Sequence, residues 1–220
     1  MKECMEDISL AEQWHKHFYQ KIDWRKDLKY CGVPIFKNPN DLQIIQELIW
    51  EVMPAYIIET GTAYGGSALC YTHLMERYGG KVVITIDDSS NSYVPLTYIK
   101  PSCPNLHYIT GSSISFNIKE YIKNLIPRSQ KVLVILDSCH TFKHVLAELD
   151  LYKDFVSPGS YLIVEDTNTD LVIEDYGPGP ADAVKSFLKE NVKFERDVKL
   201  EEKFGFSFNT YLRRVVEFID

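Results

Sequence analysis

The sequence predicts an α/β fold: a doubly wound, mostly parallel sheet preceded by a helical N-terminal segment. Three observations carry this expectation. Short β-branched runs recur at 56–59, 81–86, 106–109, 131–136 and 160–164. Helical periodicities separate several of them, and runs such as Val132-Leu133-Val134-Ile135-Leu136 are apolar without alternation. A strand apolar on both faces is buried on both, which suits a parallel sheet covered by helices, and strand–helix alternation implies βαβ units.

Taken in order, Leu10, Trp14, Phe18 and Ile22 recur at helical spacing. Cys31 to Pro39 is turn-rich, because two prolines and a glycine interrupt any regular element. Asp41 is expected to cap a helix whose apolar face is Leu42, Ile45, Leu48, Ile49 and Val52, and which stops at Pro54. Two later helices follow from Ile118, Tyr121, Ile122, Leu125 and Ile126, and from Phe142, Val145, Leu146, Leu149 and Tyr152. Phe194 and Val198, then 211–216, read as two closing strands. With no repeat, low-complexity tract or linker, the 220 residues make a single domain, 1–54 as a helical cap and 55–220 as the core.

Composition narrows the function classes. A net charge of −7, with 31 acidic and 24 basic residues, argues against a broad nucleic-acid-binding face. The five cysteines are odd in number, dispersed and without a CxxC pair, so reduced thiols are expected rather than a zinc cluster or disulfide framework. The charged first residues lack the apolar run of a signal peptide, and no segment approaches the roughly 20 apolar residues of a membrane span. A cytoplasmic protein without membrane or nucleic-acid partners is expected.

In a doubly wound sheet, ligands bind beyond the carboxyl ends of the strands. The first strand runs into Glu59-Thr60-Gly61-Thr62-Ala63-Tyr64-Gly65-Gly66-Ser67. Glycines there admit unusual dihedrals and a close ligand approach, and the following helix points free N–H groups into the same place. The spacing is not the G-x-G-x-x-G of a dinucleotide fingerprint, and a charged Glu59 sits badly beside a pyrophosphate. It suits a ligand with an ammonium or hydroxyl, as S-adenosylmethionine has; a plain tight turn fits the motif alone equally well. Asp87, or failing it Asp88, ends the second strand where an acid accepts the ribose hydroxyls of an adenosine. The expected donor-binding set is Glu59, Gly61, Thr62, Tyr64, Gly65, Ser67, Asp87, Ser112, Ser113 and Asp137.

The fourth strand ends Leu136-Asp137-Ser138-Cys139-His140 and the fifth Val164-Glu165-Asp166. As neighbours in βαβαβ order, they bring Asp137, Glu165 and Asp166 together, and three such charges repel unless a cation lies between them. All-oxygen ligation favours a hard divalent ion, magnesium first, which lowers the pKa of a bound hydroxyl. His140 reaches the same pocket, and an unperturbed pKa of about 6.5 suits a general base. Lys143 is the rival base, and Asp166 alternatively caps the next segment. The span 167–180 reads as a lid over an acceptor pocket and the Val33–Lys37 turn as a cover on the donor side, or both as plain surface loops.

Together these motifs resemble a known family. Ile57-Ile58-Glu59-Thr60-Gly61-Thr62, Gly65-Gly66-Ser67-Ala68, Ile86-Asp87, Leu136-Asp137-Ser138 with His140, His144-Val145-Leu146, Tyr161 to Thr167, and Pro178-Gly179-Pro180 with Ala183-Val184 are similar to the cephalosporin hydroxylase-type class I methyltransferases. These are related to the rhamnosyl and macrolide-sugar O-methyltransferases. The resemblance implies a Rossmann-like sheet, S-adenosylmethionine across the first two strand ends, and magnesium on Asp137, Glu165 and Asp166. It also implies His140 as general base, with Asp137 beside it, a carbohydrate-containing acceptor, and a homo-oligomer. Cys139 stands where many relatives carry a small or acidic residue, which leaves the acceptor open. Two rival readings are an NAD-linked oxidoreductase and a non-catalytic cofactor-binding partner subunit.

Overall fold

A computed structural model describes residues 9–23, 26–88, 94–95, 97–203 and 207–215. The sheet is assembled from β3 (Tyr56–Thr60), β4 (Val82–Asp87), β5 (Leu106–Thr110), β6 (Val132–Leu136), β7 (Tyr161–Val164), β8 (Phe194–Arg196) and β9 (Thr210–Arg214), in the order β5-β4-β3-β6-β7-β9-β8. The first five are parallel neighbours. β9 then runs antiparallel to both β7 and β8. From β3 the chain winds outward through β4 and β5, then returns to place β6 on the other side of β3. That reversal opens a crevice beyond the carboxyl ends of β3 and β6, and the turn after β3, the acid that ends β4 and the Asp137–His140 segment lie at it.

The apolar runs explain the layers. Along β3 and β6, Ile57, Leu133 and Ile135 face α2 (Pro39–Val52) and α3 (Gly66–Arg77). Ile58, Val134 and Leu136 face the opposite layer of α4 (Phe116–Leu125), α5 (Phe142–Tyr152) and α7 (Pro180–Glu190). Burial of each such side chain contributes roughly 1.5–3 kcal/mol, so a two-sided strand anchors both layers.

The N-terminal segment departs from expectation in detail. Helix α1 (Leu10–Lys21) opens with a capping box between Ser9 and Glu12. The turn-rich stretch contains a short antiparallel ladder, β1 (Lys29–Tyr30) with β2 (Val33–Pro34). Cys31 and Gly32 turn the corner at φ 48° and 84°. Asp41 is not the cap of α2. Asn38 caps it, accepting from Asn40 N, with Pro39 at the first turn. Asp41 instead is buried and accepts hydrogen bonds from Ser207 Oγ (2.6 Å), Phe208 N (3.0 Å) and Tyr211 OH (3.2 Å). A carboxylate in the first turn of a helix can serve a distant strand when that strand brings more donors than the helix end does. At the other end, Val198 is not in a strand. It opens α8 (Val198–Glu202), capped by Asp197, and Val216 lies outside the described residues.

Candidate active site

The crevice is a cavity of 710 Å³. The half where the donor-binding residues are expected is made largely of backbone. Gly61, at φ 85°, brings the chain so close to β6 that a Cβ there would lie 1.8 Å from the Asp137 carbonyl oxygen. Gly66 lets the N-terminal segment approach equally closely, since its Cβ would lie 2.2 Å from the Pro34 carbonyl oxygen. Asp87 Oδ2 accepts from Thr62 N (3.0 Å) and Ala63 N (2.8 Å), so the acid after β4 braces the turn while also lining the cavity. Thr62, Tyr64, Ser67, Ser112, Ser113 and Asp88 line it as well. Tyr64 is fixed edge-on between Phe36 and Tyr98, with centroids at 5.7 and 4.9 Å. Phe36 and Lys37 complete this wall, as the reading of Val33–Lys37 as a cover anticipates.

Two expected donor residues stand off the wall. Glu59 is completely buried behind it, where Oε2 accepts from Thr85 Oγ1 at 2.6 Å. Burial pushes its carboxyl up to about 7, opposed by the nearby Lys37 charge. The carboxyl therefore lies behind the turn, because residue 59 shares the face of Ile57, which α2 and α3 cover. Gly65 supplies the left-handed N-cap of α3 at φ 84° and likewise does not line the cavity.

The other half is built from charged side chains. Asp137, His140 and Asp166 present ligand atoms that all lie within 4.8 Å of one another. His140 Nε2 is 3.3 Å from Asp137 Oδ1, and Nδ1 is 3.6 Å from Asp166 Oδ2. Glu165 is not in that group and does not line the cavity. It meets Asp137 through Lys37, whose Nζ lies 2.5 Å from Asp137 Oδ2 and 2.7 Å from Glu165 Oε2. Glu165 Oε1 is buried with no hydrogen-bond partner. Asp166 does not cap the following segment: it adopts φ 53°, and Tyr19 OH donates to its Oδ1 at 2.8 Å. Burial opposes charge throughout, and the outcomes differ. It holds the Glu165 and Asp166 carboxyls above the usual range. At Asp137, Lys37 and His140 outweigh burial and hold the carboxyl low. At His140, burial is outweighed by Asp137 and Asp166, which raise the imidazole to about 9.

Lys143 is exposed and off the cavity wall, which removes it as a rival base. The span 167–180 contributes nothing to the wall. Its place is taken by Tyr19, Ile22 and Asp23 from α1 and the residues after it. Sequence reasoning missed Tyr19 and, as a charge, Lys37. A lysine set within Pro34-Ile35-Phe36-Lys37-Asn38-Pro39, otherwise apolar or turn-forming, was the available signal. It also missed a network at the cavity floor: His144 Nε2 lies 3.1 Å from Ser113 Oγ and 3.0 Å from Ser138 Oγ, and Ser138 Oγ donates to the fully buried Glu148 Oε1 at 2.7 Å.

Five parallel strands closed by an antiparallel β9, with the crevice over the β3–β6 reversal, give the Rossmann-like architecture of the class I methyltransferase type. The particular family follows from the chain itself. Residues 22–215 match the family described as Rhamnosyl O-methyltransferase/CmcI, and the chain belongs to it; it is an S-adenosylmethionine-dependent O-methyltransferase. It is 35% identical over 206 residues to a rhamnosyl O-methyltransferase of Mycobacterium bovis (strain BCG / Pasteur 1173P2), covering 90% of this chain and 82% of the relative. A CmcI structure with magnesium and S-adenosylmethionine superposes at a TM-score of 0.64 and 18% identity, over 98% of this chain and 88% of that one. The CalS11 TDP-rhamnose 3'-O-methyltransferase, in its apo form, gives 0.59 and 14% over 92% of each. The dehydrogenase reading is left with no observation in its favour.

Proposed function

We propose that the protein methylates a hydroxyl of a sugar, nucleotide sugar or sugar-bearing small molecule, with a hard divalent cation, magnesium first, at Asp137, Glu165 and Asp166. The observation that carries this is the convergence of Asp137, His140 and Asp166 on one point of a cavity whose other half is the glycine turn braced by Asp87. The name of the rhamnosyl O-methyltransferase relative supports the acceptor class. The residues present fit a cation. Two carboxylates face the cavity, and the buried Glu165 Oε1 lacks any hydrogen bond, which is costly for a polar atom unless a ligand completes it. Oxygen donors of this kind select hard ions.

When bound, S-adenosylmethionine supplies the methyl group and the cation supplies positive charge that makes a neighbouring hydroxyl more acidic. The chain's own residues do the rest. Gly61 to Ser67, Asp87, Ser112 and Ser113 hold the donor against the strand ends, and Asp137 stands where donor and acceptor meet. His140 Nε2 donates to Asp137, which sets the tautomer; with a cation compensating the carboxylates that raise the imidazole, Nδ1 would be left to take the acceptor hydroxyl's proton. In-line placement of oxygen against methyl contributes much of the acceleration. The intact His140 constellation supports catalysis over a purely cofactor-binding role. Exposed Trp50 (59%) and Met53 (47%) at the end of α2 support a homo-oligomer, which light scattering tests, and free Cys31, Cys70, Cys103 and Cys139 support a reducing, cytoplasmic setting; Cys4 lies outside the described residues.

The direct experiment supplies labelled S-adenosylmethionine, magnesium and a panel of nucleotide sugars and free glycosides. Label transfer that disappears on chelation is the expected result. Failure to bind S-adenosylhomocysteine calorimetrically would sink the reading before any acceptor is tried.

A further inference from the structure

Two side chains from outside the core reach the carboxylates, and both come from the N-terminal segment. Lys37 takes Asp137 Oδ2 and Glu165 Oε2, whereas Asp137 Oδ1 faces His140 and Glu165 Oε1 is left without a partner. Tyr19 OH takes Asp166 Oδ1, whereas Oδ2 faces His140. One oxygen of each carboxylate is thus tied by the N-terminal segment, and the other is left toward the His140 group or unpaired.

We propose that Lys37 and Tyr19 are positioning residues for the cation, so that a segment lying outside the sheet completes the metal site. This rests on the reading of Asp137, Glu165 and Asp166 as its ligands. The charges agree: with His140 neutral as the general base requires, three ionised carboxylates and a divalent ion leave one uncompensated negative charge in a buried place, and the Lys37 ammonium, 1% exposed, removes it. Ligating carboxylates are oriented by hydrogen bonds to the oxygen they do not offer the ion, and such partners set affinity without touching it.

Both side chains are held firmly enough for that task. Tyr19 sits in an aromatic cluster in which Trp14, His15, Phe18 and Tyr19 all pack on Phe208, with centroids 4.5 to 5.8 Å away. Phe208 N donates in turn to Asp41 of α2. Lys37 directly precedes the α2 N-cap, and its segment is seated by the contact of Pro34 with Gly66.

The test measures Mn2+ binding to the full chain by electron paramagnetic resonance, without donor or acceptor, and S-adenosylhomocysteine binding by calorimetry. Tyr19→Phe and Lys37→Met should each weaken Mn2+ binding by about 10–100-fold, with S-adenosylhomocysteine affinity kept within about 3-fold. Thermal melting checks that each variant folds. Should Lys37→Met not fold, Tyr19→Phe, which deletes a single oxygen, decides alone. Glu165→Gln is the reference for a lost ligand. If it weakens Mn2+ binding while Tyr19→Phe and Lys37→Met bind like the parent, the inference is overturned and the ligand assignment stands. Tighter binding by Lys37→Met overturns it as well, since the ammonium would then be a competitor for the ion's place. If the parent chain binds no Mn2+, or Glu165→Gln leaves binding untouched, the underlying ligand reading fails and this inference with it.

Discussion

The two halves of the cavity are built on opposite plans. The donor half is backbone brought close by glycines, with one carboxylate, Asp87, bracing two amide N–H groups of the turn. The half proposed for the cation is a cluster of ionisable side chains drawn from the segments after β6 and β7, from α1 and from the segment before α2, and these set one another's charge. Backbone geometry is determined by where the sheet reverses, so the half built on it tolerates little change at its close-packed glycines or at Asp87, which braces the turn. The cation half depends on charge balance, so it responds to single side chains, to pH and to ions.

The largest effect that would sharpen this contrast lies in paired substitutions. His140→Ala should lower turnover by about 10²–10⁴-fold with S-adenosylhomocysteine affinity retained. Asp87→Asn should do the reverse, weakening that affinity by about 10-fold or more through loss of charge-assisted hydrogen bonds while Mn2+ binding persists. Steady-state kinetics and calorimetry on the two variants read the separation, and a common loss in both would mean that the halves are not separable.

Gly61→Ala breaks the comparison from the other side. Its Cβ meets the Asp137 carbonyl at 1.8 Å and its φ of 85° is strained for alanine. A destabilisation on the order of 3 kcal/mol is expected by denaturant melting, together with loss of donor and cation binding, because the same backbone contact seats both. Parent-like stability would show that β3 and β6 do not approach as described.

The smallest effect is a pH dependence confined to the cation half. Without divalent ions the His140 imidazole is raised to about 9, against about 6.5 for the unfolded chain. A raised folded value means that the contribution to stability is complete below about 6.5 and is lost as pH rises through about 9. If magnesium binds at these carboxylates as proposed, it compensates the charges that hold this proton, and an NMR titration of His140 should move downward when it is added. A His140 titration unchanged by the ion would separate the imidazole from the cation site.

Much of this was legible in the chain. The apolar runs specified the parallel strands because a strand buried on both faces is mostly apolar, and the helical periodicities around 118–126 and 142–152 fell on α4 and α5. Gly61, Asp87, Asp137, His140 and Asp166 could be placed at the cavity from the sequence because strand ends follow directly from strand boundaries. What only the tertiary structure decided was which face each such residue shows and what arrives from elsewhere. Glu59 turned inward because alternation along a pleat is set by register, not by residue type. Asp41 left its own helix end for Phe208 and Tyr211, more than 160 residues away. Lys37 and Tyr19 met Asp137, Glu165 and Asp166 across about 100 residues or more. Periodicity and capping rules act over a few residues, whereas a buried charge is balanced by whichever opposite charge the fold brings within reach.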